Sequence, residues 1–522
     1  MERRTFIAAG TATLLTACTG KGKGNGSTST ASSTATAQTP TRNQTPTTPR
    51  TTPRPADWTA LARDLDGPLI RPGDATWPTA HSLYNTRFDP LKPSAVAYVH
   101  HPDDIRTALT FARRHTTPLT IRNGGHSYTG ASSADNALII DVSELSTIRT
   151  TPTTATIGAG AKLIDVYRTL AAKGTTIPAG SCPTVGISGL TLGGGHGVTS
   201  RAYGLTCDNL TAATLVTADG KQLTATPTDH QDLFWALRGA GTGTFGVVTE
   251  LHFKTHPAPE SVTAHLTWPW QQAPAVLDAW QHWAPAQPDE IWSSLHLGAA
   301  PGRTPTLSLT AFSLGSYTDL QNAVDRLAGR IGAPATTASL RRRPYLDAME
   351  LYAGCSSHSE DAQCHLPGTT AGRHPRGALR RETYAARSDF FDRALGQDAI
   401  RTLLAQLPAV RGGSAAIQLT ALGGAVNRVS PTATAFVHRR SRLLAQYLAS
   451  WSENAPGTAA QSWLASAHKA MRPYASGAAY QNYADASLTN WRQAYYGSAV
   501  PRLTQVKRRY DPHRLFTHSQ AL

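Results

Sequence analysis

The pattern of apolar and polar residues divides most of the 522-residue chain into two regions. Between residues 57 and 260, a stretch with helical spacing, PDDIRTALTFARRH, stands among short β-rich runs, namely PLTIR, ALIIDVS, ATIGAG and TAATLVTADG. Apolar residues that recur every three to four positions indicate helices, and short β-branched runs between glycines indicate strands. This region is therefore predicted to be an α+β unit.

Residues 261–470 differ, because apolar and polar positions alternate in runs such as SLTAFSLG and AAIQLTALGG. Two longer stretches, YTDLQNAVDRLAGRIG and RSRLLAQYLASW, are predicted to be helices. Strict alternation is typical of antiparallel strands, so we expect an antiparallel sheet covered by helices. The tail is predicted to end in one helix, stopped by Asp511 and Pro512.

The first 18 residues have the pattern of a secretory signal peptide, with two arginines, a short apolar run and small residues before Cys18. RRTFI resembles a twin-arginine export signal, and LTAC resembles a lipobox whose cysteine would carry lipid. The alternative is a plain signal peptide with an incidental cysteine. Residues 19–56 are rich in Ser, Thr, Pro and Gly and are predicted to be a disordered linker. We expect a cell-surface lipoprotein or a secreted protein, held at the membrane only through Cys18.

The formal net charge is +15, and residues 1–56 contribute seven basic residues against one acidic residue. The remaining basic residues are dispersed, and none of their clusters is interleaved with aromatic residues as nucleic-acid binding requires. We therefore expect no nucleic-acid partner. Among the five cysteines, Cys355 and Cys364 are predicted to form a disulfide, with two unpaired thiols as the alternative. Cys207 is expected to be buried.

Three glycine-rich stretches lie in the first region: RNGGHSYTG, PAGSCPTVGISGLTLGGGHGVTSRAYGL and LRGAGTGTFGVVTEL. Glycines allow the backbone to approach a flat or phosphorylated ligand closely, which indicates a bound cofactor. The Rossmann spacing at Gly241, Gly243 and Gly246 is followed by VVTELHF, a strand where that fold needs a helix. No serine-hydrolase elbow and no paired zinc ligands are found, so we expect no metal.

In this order, RNGGHS, GSCPTVGISGLTLGGGHG, DLFWALRGAGTGTFGVVTE and the terminal NYAD and YDPHRLF closely resemble motifs of berberine bridge enzyme-like proteins. These form a branch of the vanillyl-alcohol oxidase flavoprotein family. The resemblance implies FAD, held by a PCMH-type domain of two α+β subdomains over residues 57–260. It also implies a substrate domain over 261–470 and a C-terminal segment, 471–522, that returns to the FAD domain.

The resemblance further implies that FAD is bonded twice, through His126 to the flavin 8α-methyl carbon and through Cys182 to C6. The backbone amides of Asn123, Gly124 and Gly125 are expected to face the pyrophosphate, with added charge from Arg122. Further residues expected at the cofactor are Ser127, Thr184, Val185, Gly186, Gly189, Leu192, Gly194, Gly195, Val248 and Asn482. For the glycines and valines, tight packing is the alternative.

The implied reaction removes a hydride from a carbon that bears a hydroxyl, while a base takes the hydroxyl proton. In this family the base is a tyrosine or a glutamate, which points here to Tyr480 or Tyr483. Tyr480 is preferred because, in an extended segment, it shares a face with Asn482 and Tyr483 faces away. His196 stands where some relatives have a tyrosine that assists a second oxidation. Gln418 is expected in the pocket floor, as a structural or a substrate-binding residue.

The small Val185 side chain matches a position that leaves room for oxygen, which favours an oxidase using O2. Trp268, Trp270, Trp280, Trp283 and Trp292 could stack on sugars or form core. An exported enzyme meets glycans, so we expect a small-molecule alcohol or hemiacetal substrate, possibly an oligosaccharide. The alternatives are an oxidase, dehydrogenase or oxidative cyclase of a secondary metabolite, and a surface protein that binds without turnover.

Overall fold

The computed structural model describes residues 53–358 and 360–522. The predicted signal peptide, Cys18 and the predicted linker up to residue 52 lie outside the described residues. The first helix begins at Pro55, so the predicted linker overlaps it by two residues. Within the described residues, no helix is both long and apolar enough to cross a membrane.

The first subdomain consists, in chain order, of α1 (Pro55–Asp64), β1 (Leu69–Ile70), α2 (Trp77–Ala80), β2 (Ala95–Tyr98), α3 (Pro102–His115), β3 (Leu119–Arg122) and β4 (Leu138–Asp141). Its sheet has the order β1-β2-β4-β3, in which β2, β4 and β3 are parallel. The predicted helix PDDIRTALTFARRH is α3, with Pro102 in its first turn and basic residues in its last turn, as helix ends prefer. Strand β3 ends at Arg122, the first residue of RNGGHS, so the sheet positions this glycine-rich motif.

The second subdomain consists of β5 (Ile148–Thr150), β6 (Thr154–Gly158), α4 (Leu163–Ala171), β7 (Thr175–Thr176), α5 (Ile187–Leu192), α6 (Ser200–Tyr203), β8 (Leu210–Val216), β9 (Gln222–Ala225), α7 (Gln231–Leu237), β10 (Val247–Lys254) and β11 (His256–Pro257). Its main sheet is antiparallel, in the order β5-β6-β10-β8-β9. The glycine loop of residues 239–246 leads into β10, not into a helix, which excludes a Rossmann site there.

The third unit contains β12 (Ser261–Trp268), α8 (Ala273–Trp283), β13 (Ile291–Ala299), β14 (Thr306–Ser313), α9 (Tyr317–Ile331), β15 (Thr337–Arg343), α10 (Tyr345–Ala353), β16 (Tyr384–Phe391), α11 (Gln397–Ala405), β17 (Ser414–Ala421), α12 (Ala425–Arg428), β18 (Leu443–Ser450) and α13 (Thr458–Met471). Its antiparallel sheet has the order β15-β12-β14-β13-β17-β18-β16. Helices α8, α9, α11 and α13 pack on one face. The other face turns toward the first two subdomains.

The helix predicted for RSRLLAQYLASW is wrong, because this stretch forms the strand β18. Its apolar residues cluster at helix-like positions, but β18 lies between β17 and β16 and packs on both faces. Ala445, Tyr447 and Ala449 contact the covering helices, while Leu444 and Leu448 pack on the opposite face. A strand buried on both faces loses the alternation that distinguishes strands from helices.

The C-terminal part consists of α14 (Trp491–Tyr496), α15 (Val500–Tyr510) and a tail that packs on the second subdomain. Helix α15 ends before Asp511, as predicted. The buried Lys507 donates hydrogen bonds to the carbonyls of Thr244 and Phe516, which joins the tail to the glycine loop before β10. Cys355 and Cys364 form the predicted disulfide, and Cys207 is fully buried as a free thiol.

Candidate active site

A cavity of about 420 Å³ lies where the two subdomains meet the open face of the seven-stranded sheet. Its walls come from the loop after β3, the segment from residue 180 to α5, the sheet and the C-terminal part. A cavity of this size, with apolar and polar groups converging on it, is the usual form of a small-molecule site. The predicted site residues on its wall are Asn123, Gly124, Gly125, His126, Ser127, Cys182, Val185, Gly186, Gly189, Leu192, His196, Gln418, Tyr480, Asn482 and Tyr483.

The loops that carry the two predicted attachment residues are in direct contact. A Cβ atom at Gly124 would collide with the carbonyl oxygen of Thr184 and would lie 2.6 Å from the nitrogen of Gly186. Only glycine at position 124 allows this approach. Asn123 is held by its side chain, which donates to Ser188 and accepts a hydrogen bond from Lys162 at 2.6 Å. The glycines of RNGGHS therefore serve packing between loops as well as access for a ligand.

His126 lies on the cavity wall, where Thr184 and Tyr84 contact its ring. Its Nε2 is 2.9 Å from the hydroxyl oxygen of Thr184, and its ring stacks on Tyr84 at 3.9 Å between centroids and 19° between planes. Burial, with a smaller contribution from the Lys162 charge, lowers the pKa of His126 to about 3. The imidazole is therefore neutral at physiological pH, as a nucleophile must be.

Cys182 is a free thiol on the same cavity wall. Burial raises the pKa of Cys182 to about 11, and the Glu382 carboxylate adds to the effect. Burial also raises the pKa of Glu382, to about 8. The thiolate charge would interact with Tyr128 and Tyr483, whose pKa values it raises further above their burial-shifted range. Cys182 thus lies toward the side of the cavity that carries the tyrosines.

Five predicted cofactor residues lie outside the cavity wall: Arg122, Thr184, Gly194, Gly195 and Val248. Arg122 is buried and forms an ion pair with Asp141, so its charge is engaged within the fold and does not face the cavity. Val248 is buried in β10, between β6 and β8. Gly195 does not line the cavity itself, but its N–H donates a hydrogen bond at 2.9 Å to the hydroxyl of Tyr480, which does. The structure therefore places Arg122 and Val248 within the fold and not on the cavity wall.

The two candidate base tyrosines do not share an extended segment, because Gln481–Tyr483 form a 3-10 turn that Tyr480 directly precedes. Tyr483 therefore also reaches the cavity, contrary to the prediction that it faces away. Tyr480 is only 2 % exposed, and its hydroxyl accepts hydrogen bonds from Gly195 and Asn482, each at 2.9 Å. The Tyr483 hydroxyl is 2.8 Å from Nε2 of His196, whose pKa burial lowers to about 4. His196 and Tyr483 thus form a neutral pair on the cavity wall.

The sheet contributes a row of polar side chains. His296 on β13 is opposite Gln418 on β17, which is opposite Gln446 on β18. His296 is 3.1 Å from the hydroxyl of Thr310, and burial lowers its pKa to about 4. Gln446 donates to the hydroxyl of Tyr128 at 2.8 Å. Neutral amides and imidazoles in such a row can donate hydrogen bonds to hydroxyl groups and accept them.

The sequence analysis missed several wall residues: Tyr84, Tyr128, His296, Thr310, Tyr352, Gln446 and, in the tail, Phe516, Thr517, His518 and Gln520. Tyr128 lies two residues after His126 in the quoted motif, so its place could have been inferred. Gln446 was concealed by the helix prediction for β18. Tyr84 belongs to a loop without any motif. Of the five tryptophans considered for sugar stacking, Trp268, Trp280 and Trp283 are core, Trp270 is partly buried against that core, and Trp292 lies on the cavity wall.

The residues present fit a flavin. Gly189 lies on the wall, and a Cβ atom placed there would meet no atom within 4 Å, so a flat ring has room beside α5. The nucleophiles His126 and Cys182 face the same space from two separate loops. The amides of the RNGGHS loop and the open glycine at 189 are features that a cofactor with a pyrophosphate and a tricyclic ring requires.

Comparison with known proteins agrees with this geometry. Residues 93–226 match the FAD binding domain family, and residues 479–522 match the family described as berberine and berberine like. An FAD-linked oxidoreductase of Bacillus subtilis, YgaK, is 33% identical over 466 residues, covering 88% of this chain and 97% of its own. The protein is accordingly an oxidoreductase whose cofactor is FAD.

Two further relatives bear on the site. A chitooligosaccharide oxidase of Gibberella zeae is 30% identical over 479 residues, covering 87% of this chain and 92% of its own. The solved structure of a Physcomitrella patens protein, BBE-like 1, superposes with a TM-score of 0.81 at 29% identity and covers 89% of this chain and 98% of its own. Motifs, sheet topology and relatives agree that the chain belongs to the berberine bridge enzyme-like family of FAD-linked oxidoreductases.

Proposed function

We propose that the protein is an oxidase that carries FAD bonded to both His126 and Cys182 and oxidises a CH–OH group of a carbohydrate, with O2 as the electron acceptor. One observation carries the proposal. Two nucleophilic side chains on separate loops face one cavity, and a tyrosine–histidine pair and a row of neutral polar residues occupy its other side.

When bound, FAD supplies a two-electron acceptor for hydride. The backbone of Asn123, Gly124 and Gly125 would hold its pyrophosphate, and the open wall at Gly189 would receive the ring. Attachment at two sites fixes the ring against the substrate side without help from the substrate. We expect it also to raise the reduction potential of the flavin.

Tyr483 is the proposed base, in place of Tyr480. Both tyrosines lie on the wall, but the Tyr480 oxygen already accepts two N–H hydrogen bonds and that residue is almost fully buried, whereas Tyr483 is only partly buried. Burial raises the pKa of Tyr483 well above its ordinary value, so the resting side chain is a neutral phenol. To act as the base, Tyr483 must first release its phenol proton to solvent, and the Nε2–H of His196, 2.8 Å away, stabilises the phenolate, which then takes the proton of the substrate hydroxyl.

The polar row argues for a carbohydrate. Gln418, Gln446 and His296 present neutral donors and acceptors along one side of the cavity, as recognition of several hydroxyl groups requires. An amine-bearing alkaloid would favour a carboxylate, and among the described residues no Asp or Glu is part of the wall. The relative that oxidises chitooligosaccharides supports the same substrate class.

O2 as acceptor rests on Val185, whose small side chain lies on the wall beside the predicted flavin site. Export as a lipoprotein through Cys18 rests on the first 18 residues alone, and it would place the enzyme where glycans are found.

The intact mass of the denatured protein tests the covalent link. We expect the polypeptide plus one FAD, with one FAD retained in both His126→Ala and Cys182→Ala and none in the double variant. Release of H2O2 during incubation with a panel of oligosaccharides tests the reaction, and Tyr483→Phe with bound flavin is the matched control. A flavin-containing protein that reduces dyes with a sugar but yields no H2O2 would contradict the oxidase assignment. Turnover of aromatic amines alone would contradict the substrate class.

A further inference from the structure

The surroundings of His126 distinguish its two ring nitrogens. Nε2 is 2.9 Å from Oγ1 of Thr184, a residue whose side chain lies behind the imidazole and not on the cavity wall. Nδ1 has no hydrogen bond to any described residue, although the ring itself faces the cavity. One nitrogen is therefore engaged with the protein, and the other is available to a ligand.

The plane of the imidazole is fixed as well. Tyr84 stacks on the ring at 3.9 Å, with 19° between the planes. Thr184 is held in place because its loop touches Gly124, where any Cβ atom would collide with the Thr184 carbonyl oxygen. Rotation of the imidazole would therefore disrupt its stacking on Tyr84 or the contact between Nε2 and Thr184.

The charge around the ring favours the neutral imidazole. Lys162 is 4% exposed, and its ammonium donates to Asn123 at 2.6 Å, to Ser143 at 3.0 Å and to the carbonyl of Gly160 at 2.9 Å. This cation behind the loop disfavours a second positive charge on His126. A neutral imidazole carries one N–H, so the remaining question is which nitrogen holds it.

We propose that Thr184 is a positioning residue for flavin attachment: its hydroxyl oxygen accepts the Nε2–H of His126, which holds the tautomer whose Nδ1 lone pair attacks the 8α-methyl carbon. The inference rests on the proposed covalent link at His126. It assigns to Thr184 a role in forming that link and none in binding FAD reversibly.

A bond forms between Nδ1 and the 8α carbon, and one C–H bond of the methyl group and the Nε2–H bond break. Both hydrogens leave as protons, the Nε2 proton by way of the Thr184 oxygen, and the electron pair stays on the flavin, which takes up two protons. O2 then reoxidises the flavin and leaves as H2O2. Thr184 assists by stabilising the imidazole cation that exists between bond formation and loss of the second proton.

Thr184→Val tests the inference, because valine keeps the shape and removes the hydroxyl. The measurement is made in the Cys182→Ala protein, where His126 is the sole attachment residue. Purified protein containing FAD is incubated in air, samples are denatured over time, and the covalently loaded fraction is read from the intact mass. We expect attachment about tenfold slower in Thr184→Val, the effect of one lost hydrogen bond, and a rate near the original in Thr184→Ser.

Two readouts separate this role from a general structural one. The visible spectrum of the native Thr184→Val protein is expected to retain bound flavin, which denaturation then releases. Equal attachment rates in Thr184→Val and its parent would overturn the assignment, as would a Thr184→Ser rate as low as that of Thr184→Val. Absence of covalent FAD from both the unsubstituted protein and Cys182→Ala would instead contradict the His126 link itself, and the inference with it.

Discussion

Nε2 of His196 and the phenol oxygen of Tyr483 lie 2.8 Å apart, while Nδ1 of His196 is buried without a partner among the described residues. The neutral tautomer with its hydrogen on Nδ1 leaves a buried N–H donor unpaired. The tautomer with its hydrogen on Nε2 leaves only the Nδ1 acceptor unpaired. Unpaired buried donors are the rarer of the two in proteins. We therefore assign the hydrogen to Nε2, which donates to Tyr483 and leaves the Tyr483 hydroxyl hydrogen to point toward a ligand.

This assignment predicts different consequences for the two tyrosines. Tyr483→Phe is expected to lower kcat by about 10²-fold to 10⁴-fold, the usual contribution of a general base, while the bound flavin and Tm change little. Tyr480→Phe removes the acceptor of the Gly195 N–H and of one N–H of the Asn482 amide, whose nitrogen still donates to Leu190, so it is expected to cost about 1–3 kcal/mol of stability.

Steady-state kinetics and thermal unfolding of both variants check this pair. A larger loss of kcat in Tyr480→Phe than in Tyr483→Phe would reverse the assignment of the base. Tyr483→Phe should also flatten the acid limb of the kcat–pH profile, because the variant lacks the group whose deprotonation this limb reports.

Substitution by alanine is predicted to affect stability at one glycine of the cavity wall and FAD binding at another. At Gly124 the new methyl group would collide with the backbone at Thr184 and Gly186, so Gly124→Ala is expected to lower Tm even without flavin. At Gly189 the methyl group has free space, so Gly189→Ala is expected to fold normally and to bind FAD more weakly.

The comparison uses flavin content, from the visible spectrum, and Tm of protein stripped of noncovalent flavin in the His126→Ala, Cys182→Ala background. Equal Tm losses in the two variants would show that the loops adjust at Gly124 and would remove the packing argument.

The disulfide between Cys355 and Cys364 closes a ten-residue segment whose ends pack against Tyr84 and Tyr384 at the cavity. Closing a loop of this length contributes about 2–3 kcal/mol of stability. Reductant is therefore expected to lower the Tm of the unsubstituted protein and to leave Cys355→Ser/Cys364→Ser unchanged. Cys207→Ala, which removes a free thiol, serves as the control and should respond to reductant like the parent.

Buried histidines predict loss of stability in acid. Burial lowers the pKa values of His196, His296 and His438 to about 4, whereas unfolded histidine titrates near 6.5. Their stabilising contribution is complete above about pH 6.5, and it decreases as pH falls toward 4, because the unfolded chain binds protons that the folded chain excludes. Each histidine contributes up to about 1.4 kcal/mol per pH unit in this window.

Unfolding temperatures between pH 7.5 and 4.5 measure the effect in flavin-free protein. His438 is buried away from the cavity wall, so His438→Gln should reduce the difference in Tm between these two pH values. His513 is exposed, and His513→Gln should leave that difference unchanged. A Tm independent of pH over this range would contradict the burial of these side chains.

The cofactor side of the site could be predicted from the sequence because its signals are local. Glycines before His126 and around Cys182 specify tight turns within a few residues, and the family motifs preserve their order. Arg122 shows the limit of such reasoning. Its guanidinium pairs with Asp141, which is 19 residues away on a neighbouring strand, and no local pattern indicates that pairing.

The substrate side depends on contacts between distant residues. The hydrogen bond from Gln446 to Tyr128 joins residues 318 positions apart, and no local pattern carries it. β18 is buried on both faces, so its apolar residues could not reveal which side of the strand Gln446 occupies. The 3-10 turn that brings Tyr483 to the cavity likewise depends on packing of the C-terminal part, not on propensity.

The opposed positions of His296, Gln418 and Gln446 on three adjacent strands constrain how such a pocket can evolve. A single-residue insertion or deletion within β18 would exchange Gln446 for a neighbour such as Tyr447 and bring core groups into the pocket. Point substitution preserves the alternation, so new specificities are accessible by exchanging one side chain at a time. Directed mutagenesis libraries should accordingly vary residue identity at these three positions and leave strand lengths untouched.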